Sequence, residues 1–283
     1  MIEQEMRCRS VLAVDGWVGP ARLLLSTDGH IASVEALPGN ATVDFGHVVP
    51  GMPNLHSHAF QRQMAGLSGV PKPGETAGAS SDGAGEDTFW SWRELMYRLA
   101  LRISPGQLQA IAAFLQVEML ENGYTSCAEF HYLHNQPTGQ PYDDPAEMSA
   151  RILDAAELSG IALTLLPVLY CRSGFASSDV TERQLRFRNS VDQYLALCAR
   201  CDELTRAHPL HRTGIAPHSL RAVSPDQLQQ LLNACAGNEQ PIHIHIAEQV
   251  LEVTDCQAAY GASPVQWLLD QHAVDSNWCL VHA

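Results

Sequence analysis

From residue 49 onward the chain alternates short, almost wholly apolar runs with longer segments in which apolar residues recur at helical spacing. The apolar runs predict strands over 48–52, 124–130, 161–168, 214–218, 242–246 and 278–282. Four of the intervening segments open on one start signal: Ser104-Pro105-Gly106-Gln107, Asp144-Pro145-Ala146-Glu147, Ser224-Pro225-Asp226-Gln227 and Ser263-Pro264-Val265-Gln266. In each, a capping side chain precedes a proline at the first helical position, and a Glu or Gln follows three residues after the cap. Gly123 and Gly160 stand where two of the helices are expected to stop. Strands and helices repeating in this way predict a parallel sheet, and a (β/α) barrel in preference to an open sheet.

The first 48 residues have a different texture. Short β-type runs at 10–14, 21–25 and 31–34 are broken by Asp15-Gly16 and Asp28-Gly29, which predicts a small antiparallel unit. The expected organisation is therefore 1–48 as the N-terminal part of a small, sandwich-like β domain and 49–283 as the barrel. Residues 68–87, rich in Gly, Pro and Ser, interrupt the rhythm after the first barrel strand. They read either as a lid over the barrel mouth or as a plain surface insertion.

With 283 residues, 46% of them hydrophobic and 17% charged, the chain can bury a large core. Its net charge of -14 repels phosphate backbones and anionic bilayers, so no nucleic-acid or membrane partner is expected. No apolar run reaches the length of a signal peptide or the ~20 residues of a membrane span, and a cytoplasmic location is expected. The eight cysteines are scattered and read as reduced thiols; Cys198 and Cys201 form a lone CxxC that reads as helix packing. Lys72 is the only lysine. Anion binding thus falls to arginine, whose planar fork matches a carboxylate.

His56 and His58 lie two apart behind an apolar stretch, so on a strand both imidazoles share one face. In a barrel the strand ends meet at one mouth, where this pair is expected to converge with Glu129, His131, His218, His245, Glu248 and His282. Three imidazoles at such a mouth suit one divalent ion of borderline softness, zinc or iron, with a position left open for water. Glu248, just beyond His245, places a carboxylate where a departing nitrogen needs a proton. His282, at the end of the sixth strand, is placed to polarise the attacked group or to help activate water. His243 shares a face with His245 but lies deeper, and reads as an interior barrel residue.

The run Pro-Gly-Met-Pro-Asn before His56-Ser57-His58, the pair His245 and Glu248, and a histidine closing strand six resemble the amidohydrolase superfamily in its mononuclear deaminase branch. Longer segments resemble the formimidoylglutamate deiminases of that branch over essentially the whole chain. These are His56-Ser57-His58-Ala59-Phe60-Gln61-Arg62, Phe89-Trp90-Ser91-Trp92-Arg93-Glu94-Leu95-Met96-Tyr97, Ala128-Glu129-Phe130-His131-Tyr132-Leu133-His134 and His243-Ile244-His245-Ile246-Ala247-Glu248-Gln249. The resemblance implies a (β/α)8 TIM-like barrel and the hydrolysis of N-formimidoyl-L-glutamate to N-formyl-L-glutamate and ammonia in histidine degradation. It implies His56, His58 and His245 as metal ligands, Glu248 as proton shuttle and His282 as a catalytic histidine.

The same resemblance implies Gln61, Arg93, Tyr132, His218 and Arg221 as substrate contacts. A small dicarboxylate wants two arginines, and Arg93 and Arg221 are the ones expected near the mouth. An aspartate at the end of strand eight is implied too, and no residue after Ala283 supplies it. The expectation is a barrel truncated after strand six, taken from a longer enzyme and inactive alone; a homodimer is a candidate assembly. Two alternatives remain open: a deaminase of the same superfamily acting on a nucleobase or similar ring, and a non-catalytic metal-binding fragment.

Overall fold

The computed structural model describes residues 2–67 and 89–283, so the loop predicted over 68–87 lies outside the described residues. The chain opens with β1 (Ile2–Ala13), β2 (Gly16–Val18), β3 (Ala21–Ser26), β4 (Ile31–Ala36) and β5 (Phe45–Val48). These form one sheet in the order β2-β1-β3-β4, antiparallel throughout, with β5 added parallel to β1. The β1–β2 turn needs φ +115° at Gly16, a conformation open to glycine without steric cost. Cys8, Val11, Ala21 and Leu23 are its fully buried side chains.

The first strand of the second sheet is misplaced in the sequence reading. Val48 ends β5 and pairs with Val11 across the small sheet, and the next strand is β6 (Met52–Ser57), which carries His56 within it. Pro50 and Gly51 form the link between the two sheets. A side chain at Gly51 would put its Cβ 2.2 Å from Cγ2 of Thr125, so only glycine fits this approach.

The remaining strands are β7 (Tyr124–His131), β8 (Ala162–Leu169), β9 (His211–Thr213), β10 (Ala216–Pro217), β11 (Ile242–His245) and β12 (Trp278–Val281). All their pairings are parallel: β6 with β7, β7 with β8, β8 with both β9 and β10, and β11 with β12. Single bridges from Ile215 to Ile242 and from Ser219 to His245 carry the sheet from β10 to β11. Each strand therefore lies beside its neighbour in sequence. The strand predicted over 214–218 is reduced to two residues of ladder, with β9 as an additional short strand before it.

Between the strands run α1 (Phe89–Ala100), α2 (Pro105–Glu121), α3 (Glu147–Ser159), α4 (Val191–Thr205), α5 (Pro225–Ala234), α6 (Val250–Tyr260) and α7 (Pro264–Gln271). Two predicted caps form completely. Ser104 Oγ accepts from Gln107 N and Ser224 Oγ from Gln227 N, while each glutamine side chain accepts from the cap's own N–H at 2.9 Å. Caps of this kind are worth about 1 kcal/mol each. Ser190 and Gln193 repeat the device at α4 without a proline to announce it.

The other two caps differ from expectation. Asp144 sits before the helix and accepts from Ala146 N at 2.9 Å, because Arg200 holds its carboxylate at 3.0 Å and the helix proper starts at Glu147. Ser263 precedes Pro264 as predicted but makes no side-chain cap bond. Gly160 ends α3 with φ +83°, as its type suggested.

Cys198 and Cys201 both lie within α4, and all eight cysteines are free, in line with the helix-packing reading. Among the described residues no helix is long and apolar enough to cross a membrane. The main core is centred on β7 and β8, where Phe130, Leu163, Leu165 and Leu166 are wholly buried. Leu165→Ala is expected to cost roughly 2–5 kcal/mol through lost burial and an unfilled cavity, read as a lower midpoint of denaturant unfolding at unchanged slope.

Candidate metal centre and active-site pocket

Strand alternation does at β6 what the sequence predicts. His56 and His58 turn to the same side, and β11 brings His245 against them from 189 residues away. Nε2 of His56 lies 3.0 Å from Nε2 of His58 and 3.0 Å from Nε2 of His245. The three residues offer ligand atoms all within 4.8 Å of one another, and they are the group among the described residues with that property.

Their protonation suits a cation. His58 Nδ1 donates to the carbonyl of Phe130 at 2.8 Å, which fixes the tautomer and leaves the Nε2 lone pair facing the cluster. Burial, followed by repulsion from the neighbouring rings, lowers His56 to about 3, and burial lowers His58 to about 4. Burial also holds His245 well below the usual histidine range. Three uncharged imidazoles whose Nε2 atoms converge make the donor set of a three-nitrogen metal site.

Around this cluster lies a pocket of about 220 Å³. Its wall contains the three histidines together with Gln61, Arg93, Tyr132, His218, Arg221, Glu248 and His282, so the residues expected to hold metal, move protons or touch substrate lie together. Gln61 reaches it from the 3₁₀ helix Ala59–Met64, donating to the Tyr132 hydroxyl at 3.0 Å. That helix is tied to α2 by a two-toothed contact, Arg62 Nε and Nη2 to the Glu118 carboxylate at 2.6 and 2.7 Å. His218, from the turn after β10, is pushed well below its usual pKa by burial and then by the charge of Arg221, and its Nδ1 lies 3.0 Å from Ser219 Oγ. His282 stacks on His245 with ring centres 5.5 Å apart; it is the non-glycine residue with positive φ, +65°, among those described.

Glu248 leaves β11 on the loop into α6. Its backbone N–H donates to Glu252 Oε2 at 3.3 Å, and the other oxygen of Glu252 faces Arg221 Nε at 3.6 Å. One buried carboxylate, Glu252, thus braces both Glu248 and Arg221. Arg221 Nη1 is buried with no hydrogen-bond partner among the described residues.

Two residues expected at the mouth are not there. Glu129 and His131 are absent from the pocket wall because Phe130 occupies that face of β7, its ring centre 4.4 Å from that of His245 and 5.3 Å from that of His56. Glu129 instead accepts from Ala59 N at 2.6 Å, bracing the turn that follows His58, and burial raises its pKa to about 7. His131 is wholly buried against His134, with neither ring nitrogen partnered among the described residues. His243 lines a separate cavity of about 390 Å³ near the starts of the strands, beside Arg212 and His211, as its deeper position predicts. Sequence reasoning missed Trp92, Met96, Tyr97, Tyr170 and Phe187 in the wall. The aromatic density of the segment ending at Tyr97 was a signal for Trp92, Met96 and Tyr97, and nothing comparable marks Tyr170 or Phe187.

A family model described as the amidohydrolase family matches residues 47–283. The chain belongs to the amidohydrolase family. Among curated relatives of this amidohydrolase is the formimidoylglutamate deiminase of Pseudomonas aeruginosa, 49% identical over 274 residues, spanning 96% of this chain and 58% of the relative. A crystal structure of an amidohydrolase from Brucella melitensis superposes with TM-score 0.88 at 43% identity, over 99% of this chain and 60% of that one. An adenosine deaminase from Xanthomonas campestris with bound zinc shares the fold at TM-score 0.66 and 18% identity, over 98% of this chain and 57% of that one. The chain therefore spans about three fifths of the length of these relatives.

Proposed function

We propose that this amidohydrolase hydrolyses N-formimidoyl-L-glutamate to N-formyl-L-glutamate and ammonia, as a step of histidine degradation. The observation that carries the reading is one pocket holding three converging imidazoles, a carboxylate and two arginines. The 49% identity to a formimidoylglutamate deiminase supports it. His56, His58 and His245 would hold one divalent ion, zinc in preference to iron, and zinc in the fold relative supports that choice. Such an ion, when bound, would supply Lewis acidity and would lower the pKa of a water toward neutrality.

In this reading the substrate's two carboxylates neutralise Arg93 and Arg221, with Gln61, Tyr132 and His218 fixing the chain between them. Water adds to the formimidoyl carbon, the carbon–nitrogen bond breaks, and Glu248 delivers a proton to the departing nitrogen so that ammonia leaves. His282, beside His245, polarises the attacked group. We further infer that the parallel strands belong to a (β/α)8 barrel, since each lies beside its neighbour in sequence, with residues 1–48 as part of a small β domain and 49–283 in the barrel.

The aromatic wall, with Tyr97, Tyr132, Tyr170 and Phe187, favours a second reading in which a flat ring is deaminated. Ammonia release measured on formimidoylglutamate, guanine, cytosine and adenosine analogues separates the two, and turnover confined to a ring substrate overturns the deiminase reading. Arg93→Met and Arg221→Met are each expected to raise KM for formimidoylglutamate at level metal content. Each removes a charge-assisted contact worth roughly 1.5–3 kcal/mol. Unchanged KM in both would remove the dicarboxylate from consideration.

A further inference from the structure

Gln184 is 2% exposed and sits behind the pocket in the short 3₁₀ helix Glu182–Gln184. Its amide can be oriented in only one way. Oε1 accepts from Thr181 N at 3.0 Å and from the Thr181 hydroxyl at 2.8 Å, and a backbone N–H is only a donor, so the oxygen must face it. Nε2 then faces two phenols and donates to the Tyr97 hydroxyl at 3.0 Å and the Tyr170 hydroxyl at 2.8 Å.

Both phenol oxygens are thereby committed as acceptors. Tyr97 also receives Nε and Nη2 of Arg93 at 3.1 and 2.9 Å. Tyr170 lies beside Arg221, whose charge acts on it. A phenol oxygen has two lone pairs and one hydrogen, so donors crowding the lone pairs leave each hydrogen seeking an acceptor. None is present among the described residues, and both tyrosines open onto the pocket. Burial pushes the Tyr170 phenol up to about 12 against the pull of Arg221, so that hydrogen stays in place at neutral pH. The two hydroxyls share one nitrogen, which keeps them close enough for a single carboxylate, with two acceptor oxygens and no hydrogen, to take both.

We propose that Tyr97 and Tyr170 form a carboxylate subsite, each donating its hydroxyl hydrogen to one substrate carboxylate, with Gln184 as the positioning residue that makes both hydroxyls donors. The subsite rests on the dicarboxylate reading above and names which further groups of the pocket receive one end of that substrate. It also selects against neutral ends, because a carboxamide presents hydrogens where the phenols present theirs.

The test uses the metal-loaded enzyme, carried to the length of its relatives, with N-formimidoyl-L-glutamate and its two monoamides, one at each carboxylate. Tyr97→Phe and Tyr170→Phe are each expected to raise KM roughly tenfold or more, with a smaller change in kcat and with parental metal content and Tm. The parent should discriminate against both amides, and the phenylalanine variants should lose that discrimination for one of them only. Gln184→Glu, which offers the phenols an acceptor and draws their hydrogens away from the pocket, should raise KM to a similar extent. Phenylalanine variants that keep both the parental KM and the parental discrimination overturn the subsite, whether or not Gln184→Glu folds. A parent enzyme that does not turn over formimidoylglutamate at all overturns the dicarboxylate reading itself, and the subsite with it.

Discussion

His56→Ala, His58→Ala and His245→Ala are each expected to strip the protein of most of its bound metal and to abolish measurable ammonia release. The three Nε2 atoms face one point, and a three-nitrogen site that loses one ligand keeps neither its geometry nor its affinity. His58 carries a second expectation. Its Nδ1 bond to the Phe130 carbonyl holds the ring in place, so an asparagine there, too short to bridge both partners, should fail in the same way as alanine. Metal analysis of purified variants beside circular dichroism separates ligand loss from unfolding. Parental metal content in any alanine variant would sink the ligand assignment.

Glu248→Gln is expected to keep metal, fold and KM near the parent while kcat falls at least ~10²-fold, the ordinary contribution of a positioned acid or base. The amide is isosteric and keeps the backbone N–H bond to Glu252, so the loop stays where it is and only the transferable proton is lost. Single-turnover ammonia release is the measurement. A rate within threefold of the parent would make Glu248 a structural residue and return the proton-transfer role to another group in the wall.

The readable parts of this molecule are those governed by local rules. The spacing of His56 and His58 places them on one face of any strand, and the start signals at Ser104 and Ser224 need only four adjacent residues to form. The misreadings arose where distant partners decide. Val48 looks like the start of a barrel strand until its pairing with Val11 is known. Along β7 both faces are buried, so Cys127 to His131 show no alternation to say which side meets the pocket, and Phe130 takes the place expected for Glu129 and His131. Tyr97, Tyr170 and Gln184 look like ordinary core residues in the sequence. They acquire chemistry only because packing brings three separate segments within hydrogen-bonding distance.

The sequential, all-parallel order of the second sheet has a consequence for how the protein comes into being. Each strand can dock on the one before it as the ribosome releases it, so the sheet can grow from β6 without waiting for its distant end. The three-imidazole cluster cannot grow in this way, because two of its members appear near the beginning of synthesis and the third appears 189 residues after His56. A nascent chain that has not yet reached His245 would carry only two of the three imidazoles, and closing so long a loop costs entropy that the intervening strands must already have offset. A cation held by all three imidazoles would therefore be taken up only after β11 has emerged, onto strands already assembled.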